Sequence, residues 1–130
     1  MYYFQKNTGD RLLGSSVSGS PDIVSIATSF SSGQKGVVLV NKGTTEKTTA
    51  VNFQHFTTGS KFYYYLLKGG SDNGDFSRMV YVNGNGPANG IAGGPSSTYT
   101  SISAYATSAT GGIKIALPPR SVVYVVVDKR

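Results

Sequence analysis

The most informative hydrophobic pattern lies at the C-terminal end, in IKIALPPRSVVYVVVD, residues 113–128. Ile113, Ile115 and Leu117 alternate with Lys114 and Ala116, the period-2 signature of a half-buried strand. Pro118-Pro119 interrupts the ladder, because neither residue can donate a backbone hydrogen bond. Val122 to Val127 then reads as an apolar run on both faces, β-branched apart from Tyr124, and predicts a buried central strand. Such a strand needs neighbours. Val37-Val38-Leu39-Val40-Asn41 is the second fully apolar run and its natural partner in the sheet interior.

The rest of the chain follows the same code. Tyr2 to Lys6 is an aromatic, strand-like lead-in, and Asn7 to Asp10 a turn. Arg11 to Val17 predicts a strand. From Asp22 to Phe30, Val24, Ile26, Thr28 and Phe30 share one face, with Ser25, Ala27 and Ser29 on the other and Ile23 the exception. A hairpin closes at Ser31 to Gly36. Thr49, Val51 and Phe53 alternate with Ala50, Asn52 and Gln54. Phe62 to Leu67 predicts an aromatic strand, Phe76 to Val82 and Tyr99 to Tyr105 two more, and Ala106 to Gly112 a turn. No stretch has a convincing helical period. Eight or nine strands with turn signals every eight to twelve residues predict an all-β fold, an antiparallel β-sandwich. No repeat or linker divides residues 1–130, so one domain is expected. Met1 stands directly before strand-like residues, which suggests that the natural N-terminus lies elsewhere.

Composition agrees. Seventeen glycines against a single glutamate disfavour helices and suit short strands joined by tight turns. The absence of cysteine excludes disulfides and thiol chemistry, without fixing the compartment. The net charge of +6 comes from scattered basic residues rather than one basic face, which argues against nucleic acid. No apolar span has bilayer length and no signal peptide is visible, so no membrane partner is expected.

Candidate chemistry is sparse. Glycoside hydrolysis needs two carboxylates held about 5–10 Å apart. Of the six acidic residues, Asp10, Asp22, Glu46, Asp72, Asp75 and Asp128, Glu46 and Asp22 fall at ordinary solvated positions, and Asp72 with Asp75, the only close pair, share one turn. His55 is the only histidine and has no nucleophile elbow to serve. A zinc site is excluded, and no cofactor is expected. Asp72-Asn73-Gly74-Asp75 loosely resembles a calcium loop but lacks the distal glutamate; a turn in which Asp and Asn bond their own backbone explains it as well. NGNGPANG lacks the lysine and the following helix of a phosphate loop. The long loop Asn83 to Thr98 holds five glycines and two prolines, and loops of that length are usually functional or mobile. Sugar binding is the main functional option from composition. Tyr63, Tyr65, Tyr81, Tyr99 and Tyr105 are candidates for stacking on sugar rings, although covering the core or a neighbouring domain is the commoner use of such residues.

The order YYFQKNTGDRL, DIVSIATSFSSG, GVVLVNKG, YYYLLKGG, YVNGNGP…GGPSS and IALPPRSVVYVVVD resembles the C-terminal β-sandwich that follows the catalytic barrel in bacterial polysaccharide hydrolases. Agarase and porphyranase-like enzymes, arabinofuranosidases and some endoglucanases carry such domains. The resemblance implies an accessory domain of a secreted or periplasmic glycoside hydrolase. It implies no catalytic residue here, because the glutamates of those enzymes lie in the barrel. The partner it implies is that barrel, with Tyr2, Tyr3 and Phe4 near the junction. The alternative is an independent carbohydrate-binding module that holds a polysaccharide through the exposed tyrosines.

Overall fold

The computed structural model describes residues 1–70, 78–87 and 94–130. They form a short helix, α1 (Tyr2–Asn7), and nine strands: β1 (Arg11–Leu13), β2 (Ile23–Ser29), β3 (Lys35–Asn41), β4 (Lys47–Val51), β5 (Thr58–Lys68), β6 (Tyr81–Val82), β7 (Tyr105–Ser108), β8 (Ile113–Leu117) and β9 (Ser121–Lys129). A seven-stranded sheet runs β1-β2-β3-β9-β5-β6, with β7 also paired to β5, and a two-stranded sheet pairs β4 with β8. Every pairing among these nine strands is antiparallel. The chain is an all-β sandwich.

The two valine-rich runs are neighbours. Val37 pairs with Val125 and Leu39 with Val123, while on the other side of β9 Tyr64 pairs with Val125 and Leu66 with Val123. Val123, Val125 and Val127 are completely buried. Each such side chain stabilises the fold by about 1.5–3 kcal/mol relative to an exposed one. They face the small sheet, where the alternation in β8 places Ile113, Ile115 and Leu117 inward. Ile23, Val37, Leu39 and Phe62 complete this main core.

Between β8 and β9, Pro118-Pro119 turns the chain from one sheet to the other. Arg120 adopts φ 51°, and the Ser121 hydroxyl donates to the Pro118 carbonyl at 2.7 Å. The free edge of β5 is shared by two short strands. β7 pairs with Lys61 to Tyr64 and β6 with Leu67 and Lys68. Asn83 fills the gap between them. Its Oδ1 accepts from the Leu66 amide at 2.8 Å, its own amide donates to the Leu66 carbonyl at 2.9 Å, and its Nδ2 donates to the Ser103 carbonyl at 3.1 Å. A side chain thus replaces a strand, from a residue at φ 47°, a conformation that asparagine tolerates better than most residues.

Four local expectations change. The aromatic lead-in is a helix, held by packing on the sheet, since six residues are too few to be helical alone. The first strand stops at Leu13; beyond Gly14, the Ser15 hydroxyl bonds the Ser25 carbonyl at 3.2 Å, a side-chain substitute for the ladder. Tyr99 to Ser101 is a 3₁₀ turn, and the strand there runs instead from Tyr105 to Ser108. Of the strand expected over 76–82, Tyr81–Val82 is a strand, while Phe76 and Ser77 lie outside the described residues.

Candidate functional site

The large sheet has an inner face against β4 and β8 and an outer face against α1. On the outer face, Tyr3 is the anchor. It is only 5% exposed. Its ring centroid is 4.7 Å from that of Tyr65 and 6.4 Å from those of Tyr99 and Tyr124. Its hydroxyl donates to the Tyr99 carbonyl, and burial pushes its pKa up to about 12. Tyr2 packs edge-on to Tyr3 and Tyr99. The helix can come this close because Gly36 lies beneath it: a Cβ there would stand 2.7 Å from the Asn7 carbonyl oxygen.

This cluster decides the fate of several residues singled out by sequence. Tyr65 is buried, donating to the Ile102 carbonyl at 2.9 Å and accepting from Lys6 Nζ at 3.3 Å. Tyr99 is half-buried within the same group. Tyr65 therefore has no open face for a sugar ring, and the Tyr99 ring is engaged edge-on by Tyr2 and Tyr3. Of Tyr2, Tyr3 and Phe4, only Phe4 keeps much free surface, at 37%. The reason is the helical turn, which directs Tyr3 onto the sheet.

The remaining tyrosines are dispersed. Tyr81 and Tyr105 belong to the inner side. The Tyr105 hydroxyl donates to the Asn83 carbonyl at 2.9 Å and its ring is 5.1 Å from Tyr64. The ring of Tyr81 lies against Gly86. Tyr63 is on the outer face, half-buried, and the negative charge of Asp128 raises its pKa. The five tyrosines therefore do not form one row. Asp72 and Asp75, the calcium candidates, lie outside the described residues. His55 is exposed at φ 56°.

Two surfaces remain. The first is apolar. Along one rung of the outer face, Val24 pairs with Val40, Val40 with Val122, and Val122 with Leu67. Leu67 packs into the tyrosine cluster. Val24 is 42% exposed, and Val40, Val122 and the neighbouring Ile26 are half-buried. The apolar stripe of β2 thus faces outward, while Ile23 and Ala27 on its more polar side enter the core.

The second surface is a polar groove of about 970 Å³ at the other end of β9. The β2–β3 hairpin, the start of β5, the β7–β8 turn and the end of β9 converge there. Gln34 Nε2 donates to Asp128 Oδ1 at 2.8 Å, and the Ser32 hydroxyl donates to Gln34 Oε1 at 3.2 Å. Thr58, Ser60 and Thr110 line the groove, and no hydrogen bond within the described residues occupies their hydroxyls. Sequence reasoning missed Gln34 and the three hydroxyl residues. Only the abrupt change from valines to Asp128-Lys129-Arg130 marks this end of the strand.

No family profile matches the sequence, and no curated protein matches it. Solved structures do. A GH30 endoxylanase from Clostridium papyrosolvens superposes with a TM-score of 0.56 at 16% identity, over 90% of this chain and 23% of that one. An arabinofuranosidase superposes with a TM-score of 0.60 at 13% identity, over 95% of this chain and 27% of that one. The chain has the fold of a β-sandwich that makes up about a quarter of each of these glycoside hydrolases.

Proposed function

We propose that the chain is a non-catalytic accessory β-sandwich of a polysaccharide-degrading glycoside hydrolase, and that it packs against and stabilises a catalytic barrel of the same parent chain. The observation that carries this reading is the outward apolar rung Val24–Val40–Val122 with Ile26. A sheet face that met only water would alternate to polar residues there. Covering it removes apolar surface from water at about 25 cal/mol per Å². The neighbours support the reading, since in each the matching part is about a quarter of the chain and accompanies the other three-quarters. A parent of this kind would work outside the cytoplasm, secreted or periplasmic, on polysaccharide.

The test is a substitution read in two contexts. Val122→Lys places a charge on the rung while leaving the main core intact. In the isolated domain the long side chain reaches water, and the melting temperature moves little. In the parent enzyme the same charge faces the barrel and lowers the melting temperature of the whole. Equal effects in both contexts would overturn the docking surface. Hydrolysis of xylan, arabinan or agar by the isolated chain would overturn the non-catalytic role.

A further inference from the structure

The polar groove stands apart from the docking rung. Val122 and Asp128 lie six residues apart on the same face of β9, about 20 Å along the strand. A domain held by one end therefore leaves the other open to solvent.

We propose that this groove is a binding site for an oligosaccharide, with the Gln34–Asp128 pair as the group that recognises sugar hydroxyls and Tyr63 as the ring that flanks it; Lys129 and Arg130, which also line the groove, add further donors to sugar oxygens. Three observations meet here. Its volume of about 970 Å³ is at the upper end of ligand sites, room for more than one sugar ring. Its polar chemistry suits hydroxyls. A planar amide bonded to a planar carboxylate presents a donor and acceptors side by side, the match for adjacent hydroxyls that both give and take protons. The Ser32 contact on the other side of Gln34 fixes the amide before any ligand arrives, and the hydroxyls of Thr58, Ser60 and Thr110 are not engaged elsewhere among the described residues. Finally, an aromatic ring lies beside the groove: Tyr63 pairs with Val126, two residues before Asp128 on the same face of β9, and is only half-buried. Close packing keeps the floor open. Gly59 lies so near the Asp128 backbone and Cβ that a side chain of its own would collide with them.

This inference does not depend on the barrel, since it names a different surface and a different ligand. The test is a titration of the isotope-labelled domain with xylohexaose, arabinohexaose and cellohexaose, followed by amide chemical shifts. Binding is expected at around millimolar, as an open site with few contacts allows. Shifts should centre on residues 32–34, 58–60, 109–110 and 128–130. Gln34→Ala and Asp128→Asn should each weaken binding about tenfold, the value of one hydrogen bond. Tyr63→Ala should weaken it too, with Tyr65→Phe as the buried control and melting temperatures to verify folding. No shifts with any of the three sugars, or shifts centred on Tyr81 and Tyr105, would overturn the proposal. So would binding that Gln34→Ala and Asp128→Asn leave unchanged in folded protein. None of these results bears on the Val122→Lys comparison, so the groove and the docking rung fail separately.

Discussion

Asn41 offers the most direct test of what joins the two sheets. It ends β3, it is fully buried, and its side chain reaches three parts of the chain. Nδ2 lies 2.9 Å from the Thr45 carbonyl, 3.0 Å from that of Leu117 and 3.1 Å from that of Pro118. Oδ1 accepts from the Gly43 amide at 2.9 Å. The amide has only two N–H protons, so one is shared between carbonyls. Asn41→Leu keeps the volume and deletes every bond. Three bonds at about 1 kcal/mol each, plus at least another 1 kcal/mol for the carbonyl left unsatisfied in the interior, give a loss of roughly 4 kcal/mol. That is a large part of the 5–15 kcal/mol typical of a domain. For a chain of this size it corresponds to a fall of roughly 12–20 °C in melting temperature. Urea unfolding followed by circular dichroism measures it, with Asn52→Leu at an exposed position as control. A loss below about 1.5 kcal/mol at unchanged denaturant slope would refute the assignment of Asn41 as the tie between layers. Asn41→Asp sharpens the test. A carboxylate facing three carbonyl oxygens has its pKa raised in the folded state. The variant is therefore least impaired in acid and weakens as pH rises above the ordinary aspartate value of about 4, opposite to a carboxylate in a salt bridge.

Three further outcomes follow from the packing. Gly36→Ala puts a Cβ 2.7 Å from both the Asn7 carbonyl and the Thr28 hydroxyl, and should cost about 1–3 kcal/mol while making the Lys6 peptide bond more susceptible to trypsin; unchanged cleavage would contradict the tight seat of α1. Leu117→Ala removes a fully buried side chain of the main core and should cost about 2–5 kcal/mol in chemical unfolding. Tyr3 has its pKa raised from 10.0 to about 12, so the stability held by its neutral form is complete below pH 10 and is lost as pH rises towards 12. Tyr3→Phe should flatten that part of the alkaline melting curve, and a curve of unchanged shape would contradict the burial of the Tyr3 hydroxyl.

Some of this was legible in the residues. The run Val122 to Val127 is apolar on both faces because Val123, Val125 and Val127 meet the small sheet, α1 and its tyrosine cluster cover the outer face at Tyr124, and the strand lies between β3 and β5. The alternation in Ile113 to Leu117 likewise gave the correct inward face. The helix was not legible. Tyr2 to Asn7 has strand-like residues and too few of them for a period to emerge, and its helicity comes from the tyrosine contacts with the sheet. The face of β2 was misleading for a related reason. Alternation separates Val24, Ile26 and Thr28 from Ile23, Ser25 and Ala27, but it does not say which set meets the second sheet.

The candidate sites were less legible still. Five tyrosines suggested a stacking surface, yet strand parity and helix contact sent Tyr65 into the interior, drew Tyr99 half-buried into the cluster around α1, and put Tyr81 and Tyr105 on the opposite side from Tyr63. Gln34 and Asp128 are 94 positions apart, and nothing local relates them. Local periodicity is a property of neighbouring residues, so the sequence by itself determined an all-β chain, its central valine strands and the partner of each. Which face of a strand meets α1, which tyrosines keep open rings, and which hydroxyls gather around Asp128 depend on strand order and on contacts between distant segments. Only the tertiary structure decided those, because side-chain exposure depends on what the rest of the chain brings alongside.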